Sequence, residues 1–192
     1  MTVQRDFIVK KLAGINHHSH DGIIPAYNVL MNVLPTTFWN TFSQRLWEAV
    51  PPEKRPEVEE GIAYGTRDSA YNTAQGIITS KEFKAIVEPM VTEGKKDILR
   101  GAFAVLTATG SAKAGIVQNK EGERMVIRAV DYYEADGEQS DKRAFMLRGI
   151  CASFYDIVYG APYPDGLGTF DCEQVAGIEC GDPFGEFVVT KK

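Results

Sequence analysis

At Gly110 the spacing of apolar residues along the chain changes, and that change constrains the fold more than any other feature. Before it, apolar side chains recur every three to four residues, as they do on one face of a helix. After it come two runs with extended character, residues 112–117 and 123–130, with Asn119-Lys120-Glu121-Gly122 as the turn between them. They read as a β-hairpin. Residues 141–159 return to helical spacing, with Leu147, Ile150, Cys151, Phe154 and Val158 on one apolar stripe. A Pro- and Gly-rich stretch at 160–168 comes next, then two more strands, about 169–179 and 185–190, joined across Gly181-Asp182-Pro183. Helices first, then hairpin, helix, hairpin, is the order of an α+β domain. N-terminal helices then pack on one face of a small antiparallel sheet.

The N-terminal part is read in the same way. Residues 1–22 form an irregular arm, and 24–31 carry a helical pattern that Pro35 interrupts. A second amphipathic helix spans about 37–50, with Phe38, Phe42 and Leu46 four residues apart and Trp39 and Trp47 beside them. Helix resumes near Glu57 and runs to about Gly76. Ser80 is placed to cap a short helix that carries Phe83, and 97–107 form a further helix. The expected organisation is an arm with helices over 1–56 and the α+β domain over 57–192, packed as one unit.

Composition excludes several functions. With 21 Lys+Arg against 26 Asp+Glu, the net charge of −5 gives no basic face for a phosphate backbone, so no nucleic-acid partner is expected. No apolar run approaches the roughly 20 residues of a membrane span. The first residues lack the apolar core of an export signal, and the three cysteines Cys151, Cys172 and Cys180 are an odd number. Together these point to reduced thiols in a cytoplasm.

Three sequence segments resemble the 4-vinyl reductase domain family. They are Arg143-Ala144-Phe145-Met146-Leu147-Arg148-Gly149, the ending Cys180-Gly181-Asp182-Pro183-Phe184-Gly185-Glu186-Phe187-Val188-Val189, and the upstream Tyr64-Gly65. The resemblance covers about residues 57–190. It implies a fold related to transport-particle subunits, with an apolar cavity between helices and sheet. The family includes sensor domains that bind phenolic compounds. Its metal-binding members carry two cysteines eight positions apart around the final turn and a Glu three residues before the first. Aligned on Gly181-Asp182-Pro183, those positions here are Gly177, Gly185 and Gln174, so no structural zinc is expected at the C-terminal hairpin. Cys172 and Cys180 are also eight apart, but on one extended strand they would be separated by about 26 Å at about 3.3 Å per residue.

Two groups of residues are candidates for a site. All three histidines lie in Asn16-His17-His18-Ser19-His20-Asp21-Gly22. His18 and His20 point to one side of an extended chain and could act as bases or metal ligands, with Asp21 orienting them. The other reading is a solvated loop whose Asp21 caps a helix beginning near Ile24. The second group is aromatic: Trp39, Phe42, Tyr64, Tyr71, Phe145 and Phe154, with Arg67 as a polar anchor, could line a cavity for an apolar or aromatic small molecule. Core packing, and a solvated helix face for Arg67, are the competing readings. The expected function is a small-molecule binding protein acting as carrier, sensor or accessory subunit, and a homodimer through a sheet edge or the helix after Pro35 is compatible with it. The alternative is an enzyme, a small hydrolase or a tetrapyrrole-modifying protein, using residues 17–21 and a metal.

Overall fold

A computed structural model of the chain describes residues 4–13, 24–31, 35–135 and 144–192. Its elements in chain order are α1 (Arg5–Ala13), β1 (Ile24–Ala26), β2 (Val29–Met31), α2 (Thr36–Glu48), α3 (Arg55–Thr79), α4 (Lys81–Ile86), α5 (Lys95–Ala108), β3 (Ala112–Lys120), β4 (Arg124–Tyr132), α6 (Phe145–Tyr159), β5 (Phe170–Ala176) and β6 (Gly185–Lys191). The change of period at Gly110 is the boundary between α5 and β3. The α+β class and the hairpin–helix–hairpin order expected after Gly110 are found, whereas residues 5–13, read as part of an irregular arm, form helix α1, which packs on α5.

The four long strands form one antiparallel sheet in the order β3-β4-β6-β5, so the two hairpins join through their inner strands β4 and β6. Alternation gives the sheet two faces. Ile116, Ile127 and Phe187 share one rung on the core face, and Met125, Val189 and Cys172 share another. Helices α5 and α6 pack on that face. The opposite face carries solvent-facing pairs such as Arg128–Glu186 at 2.7 Å.

Ser80 closes α3 and opens α4, as its position in the sequence predicts. Its Oγ accepts the Phe83 N–H at 3.1 Å and donates to the Ile77 carbonyl at 2.7 Å. Residues 24–31, in contrast, are not helical. They form a small hairpin with Ala26 opposite Val29, turning through Tyr27 and Asn28 at φ +54° and +58°. Positive φ at both turn residues is the geometry of the two-residue hairpin turn that matches strand twist. An apolar run this short satisfies either period, and packing decides between them. The hairpin lies on α3 at Gly76, where a Cβ would stand 2.6 Å from Val29 Cγ1 and 3.0 Å from the Tyr27 carbonyl oxygen.

The long helix α3 lies against α6. At Gly149 the two backbones nearly touch: a Cβ there would meet the Ala63 carbonyl oxygen at 2.4 Å and the Arg67 nitrogen at 2.8 Å. Two turns further along α6, the fully buried Asp156 pairs with Arg67 of α3 at 2.9 Å. Arg67 also reaches Asp171 at 3.0 Å and donates to the Phe170 carbonyl, which ties β5 to both helices. Asp156 accepts the N–H groups of Gly168 and Phe170 at 3.0 and 2.9 Å, so the buried carboxylate is fully hydrogen-bonded.

This contact predicts the effect of two substitutions, with a third, Gly65→Ala, as the control away from it. Gly149→Ala will lower the unfolding free energy by about 1–3 kcal/mol, because a backbone oxygen cannot yield as a side chain can. Gly65→Ala, in the same helical context with nothing within 4 Å of the added carbon, will be neutral or raise it by about 0.5–1 kcal/mol. Denaturant titration of the two variants separates the effects. Arg67→Ala will cost about 3–5 kcal/mol in the same assay, since it strands Asp156 without a counter-charge.

Candidate functional site: a cavity among three helices and a hairpin

Between β1–β2, α3, α6 and the C-terminal end of α5 lies a cavity of about 210 Å³. One face of α3 supplies Thr66, Ser69, Ala70, Thr73 and Ile77, residues three or four apart that a helix stacks on one side. Leu106, Thr109 and Ser111 come from the end of α5 and the turn after it, Ile150 and Phe154 from α6, and Tyr27 and Val29 from the hairpin. The apolar walls are interrupted by hydroxyls, and among the described residues no charged side chain lines the space. Ser69 is exposed and marks the open side, while Ala70, Ile77 and Phe154 are buried at the back. Thr66 and Thr109 commit their hydroxyl protons to the helix backbone, donating to Ile62 at 2.9 Å and Leu106 at 3.0 Å.

A larger cleft of about 610 Å³ lies between α1 and the ends of β3 and β4. Its walls mix both signs of charge, Arg5, Lys10 and Lys113 with Asp6 and Asp131, and Arg5 already pairs with Asp6 at 2.9 Å. This mixed-sign wall makes it a poorer host for an apolar ligand than the smaller cavity.

Of the aromatic candidates read from the sequence, Phe154 lines the cavity. The cavity lies under the β1–β2 hairpin rather than between helices and the main sheet, and the other candidates stand elsewhere. Trp39 and Phe42 are on α2, and Tyr64 is 64% exposed on α3. Tyr71 is buried, stacks on Tyr163 with centroids 5.5 Å apart, and receives the Gly166 N–H at 3.2 Å. Phe145 is buried in the first turn of α6. Arg67 is 5% exposed and held by Asp156 and Asp171. His17, His18, His20 and Asp21 lie outside the described residues, as does Arg143. The cavity's small hydroxyl residues do not stand out in the sequence, because Thr and Ser at helical spacing also describe a solvated face. The signal is the recurrence of Thr66, Ser69 and Thr73 beside the buried Ala70, Ala74 and Ile77.

The C-terminal hairpin does not fit the metal found in some members of the family that the sequence resembles. A Cβ at Gly177 would lie 2.8 Å from both Gln174 Nε2 and Glu179 Cδ, and one at Gly185 would lie 2.6 Å from the Tyr132 ring. The space is filled by a closed polar cluster. Tyr132 donates its hydroxyl to Glu179, and Gln174 donates to the other Glu179 oxygen at 2.7 Å. The Ile178 N–H donates to the Tyr132 oxygen at 3.1 Å, and the Ala144 N–H to Gln174 at 3.0 Å. Cys172 is buried on β5 while Cys180 is exposed in the turn beyond it, and among the described residues no three His, Cys, Asp or Glu side chains converge on a metal position. Cys151 is fully buried, and burial together with the Cys172 thiol beside it pushes its own thiol well above the usual range, the state of an inert core cysteine.

Beside this cluster, Glu134 does the work of a helix cap. No side chain of Ala144 caps α6, and the buried Glu134 carboxyl instead receives the N–H groups of Met146 and Leu147 at 2.9 and 2.8 Å. Burial pushes its pKa up to about 8, against the two N–H donors and Arg148 that pull it down, and the Glu179 charge adds to the rise.

No protein-family model and no curated protein matches the chain, whereas solved structures do. The chain is similar to the phenol-responsive sensory domain of the transcription activator PoxR, solved with phenol, with a TM-score of 0.73 at 13% identity over 100% of this chain and 92% of that one. It is also similar to trafficking protein particle complex subunit 3 from Naegleria fowleri, covalently bound to palmitic acid, with a TM-score of 0.52 at 13% identity over 82% of this chain and 92% of that one. At these identities the likeness is one of fold. It agrees with the relation to transport-particle subunits and with the 4-vinyl reductase-like α+β architecture expected from the sequence.

Two measurements bear on the polar cluster. Metal analysis of protein purified without chelator will find no stoichiometric zinc, and a chelator will leave the melting temperature unchanged; zinc lost on Cys172→Ala or Cys180→Ala would contradict this assignment. Glu134 makes stability pH-dependent. Its folded pKa of about 8 lies above the ordinary 4.5, so the folded chain keeps a proton that the unfolded chain releases. This contribution is fully present below about pH 4.5 and falls by about 1.4 kcal/mol per pH unit as pH rises toward 8. Glu134→Gln will flatten that slope in denaturant titrations repeated across the interval.

Proposed function

We propose that this chain is a small-molecule binding protein that holds one apolar or aromatic ligand in the cavity among α3, α5, α6 and the β1–β2 hairpin, serving as a sensor, carrier or accessory subunit. The observation that carries the reading is the cavity itself: apolar at the back, edged with hydroxyls, and free of charged side chains among the described residues. A few polar groups in an apolar concavity orient a ligand without requiring it to be charged. The volume sets the scale. A dry cavity of about 150 Å³ is enough for benzene, and pockets for drug-sized ligands begin near 300 Å³, so about 210 Å³ suits a one-ring compound or a short chain. The likeness in fold to a domain solved with phenol and to a subunit solved with palmitic acid supports an apolar occupant.

The partner we propose for α2 is a second copy of the chain. Phe38, Phe42 and Leu46 are 46%, 48% and 41% exposed on one face of this helix. The helix is anchored from its other side, where Ser43 is buried, Trp47 donates to Glu59 at 2.8 Å and the Arg55 guanidinium lies 3.8 Å from the Trp47 ring centroid. An apolar stripe held in place but uncovered is the usual mark of an association surface.

Thermal-shift screening of one-ring aromatics and short-chain alcohols tests the first proposal. A binder at about 100 times its Kd adds about 2.7 kcal/mol and will raise the melting temperature by roughly 5–10 °C in a chain of this size. Ala70→Leu, which fills the back of the cavity, will abolish that shift with little loss of stability. Light scattering tests the second: the wild type will run at twice the chain mass and Phe42→Glu at the chain mass.

A further inference from the structure

The cavity holds more chemical information than its apolarity. Several hydroxyl residues line it, and two have a fixed polarity. The Thr66 Oγ1 proton is committed to the Ile62 carbonyl at 2.9 Å and the Thr109 Oγ1 proton to the Leu106 carbonyl at 3.0 Å. A hydroxyl has one proton to give and two lone pairs to offer. Once the proton is placed, the oxygen can only accept. Ser111 extends the same polarity weakly: its Oγ lies 3.5 Å from Thr109 Oγ1, and because Thr109 already donates elsewhere, the proton between them belongs to Ser111. Ser69, Thr73 and Tyr27 also line the space, and their hydroxyls have both a proton and lone pairs, so the preference rests on Thr66 and Thr109 alone.

From this polarity we infer that Thr66 and Thr109 set the specificity of the cavity, selecting an uncharged ligand that carries an O–H or N–H donor over an isostere without one. The inference rests on the proposed ligand-binding role of this cavity. A donor-bearing ligand finds committed acceptors on two separate elements, Thr66 on α3 and Thr109 at the end of α5. A ligand bearing only acceptors, an ether or a ketone, meets oxygen lone pairs at Thr66 and Thr109 and has to turn to Ser69, Thr73 or Tyr27 for a donor, so it gains nothing from the two threonines. An anion fares worse, because among the described residues no Lys, Arg or His lines the space to offset its desolvation.

Titration calorimetry with phenol, anisole, toluene and benzoate tests the assignment. Phenol will bind about five- to tenfold tighter than anisole, the range one hydrogen bond to a neutral acceptor supplies, and benzoate will bind at least tenfold more weakly than phenol. Thr66→Val and Thr109→Val keep side-chain shape and remove the acceptor. Each will weaken phenol toward the anisole value and leave anisole and toluene unchanged, with the toluene affinity reporting that the cavity is intact. Two independent variants on different helices keep the test open if one of them melts early. Anisole binding as tightly as phenol, or phenol affinity indifferent to both variants, overturns the inference while leaving the cavity a binding site. No binding of phenol, anisole or toluene overturns the binding reading itself, and the inference with it.

Discussion

The contact between α3 and α6 is the constraint on which the rest of the structure depends. Two features fix it. At Gly149 the backbones approach to a distance that no side chain permits, and two turns along α6 the Arg67–Asp156 pair locks the rotation of one helix against the other. A buried ion pair is costly to desolvate and often contributes little net stability. Here its geometry matters more than its energy: Arg67 reaches α6 and β5 at once, and Asp156 takes up the N–H groups where the chain turns into β5. Helix, helix and edge strand are thereby held in one register.

The cavity is a consequence of that register. Thr66 precedes Arg67 in α3, and Ile150 follows Gly149 in α6, so the residues next to the locking contact are also cavity walls. The helices touch at Gly149, the β1–β2 hairpin rests on α3 at Gly76, and the cavity lies among these elements and the C-terminal end of α5. The acceptor character of the walls has a local origin: a Thr inside a helix satisfies its proton on the carbonyl one turn back, which leaves an acceptor on the surface it presents.

On the other side of the core, the junction of β4, α6 and the β5–β6 turn is held by polar side chains in place of a metal. Tyr132, Gln174 and Glu179 satisfy one another and two backbone N–H groups, and Glu134 completes the start of α6. A closed cluster of this kind gives orientation without an ion, but it buries two carboxyl groups, one of which keeps its proton through neutral pH.

Periodicity was enough to determine the α+β order, the two hairpins around one apolar helix, the break at Gly110 and the cap at Ser80, because each is a local preference that neighbouring residues state in concert. Only through the family resemblance do the glycines at 177 and 185 read as positions where metal-binding members have cysteines. Tertiary structure decided what local preference cannot. It turned 24–31 into a hairpin, since a short apolar run is ambiguous until Gly76 offers it a surface. It took Arg67, which sequence alone places on ligand or solvent, into a buried pair with a residue 89 positions away. It drew the cavity from Thr66, Thr109, Ile150 and Phe154, which share no motif. A binding site of this type exists only where elements from distant parts of the chain come together, and the spacing of residues along one helix carries no record of which part of it another element will leave uncovered.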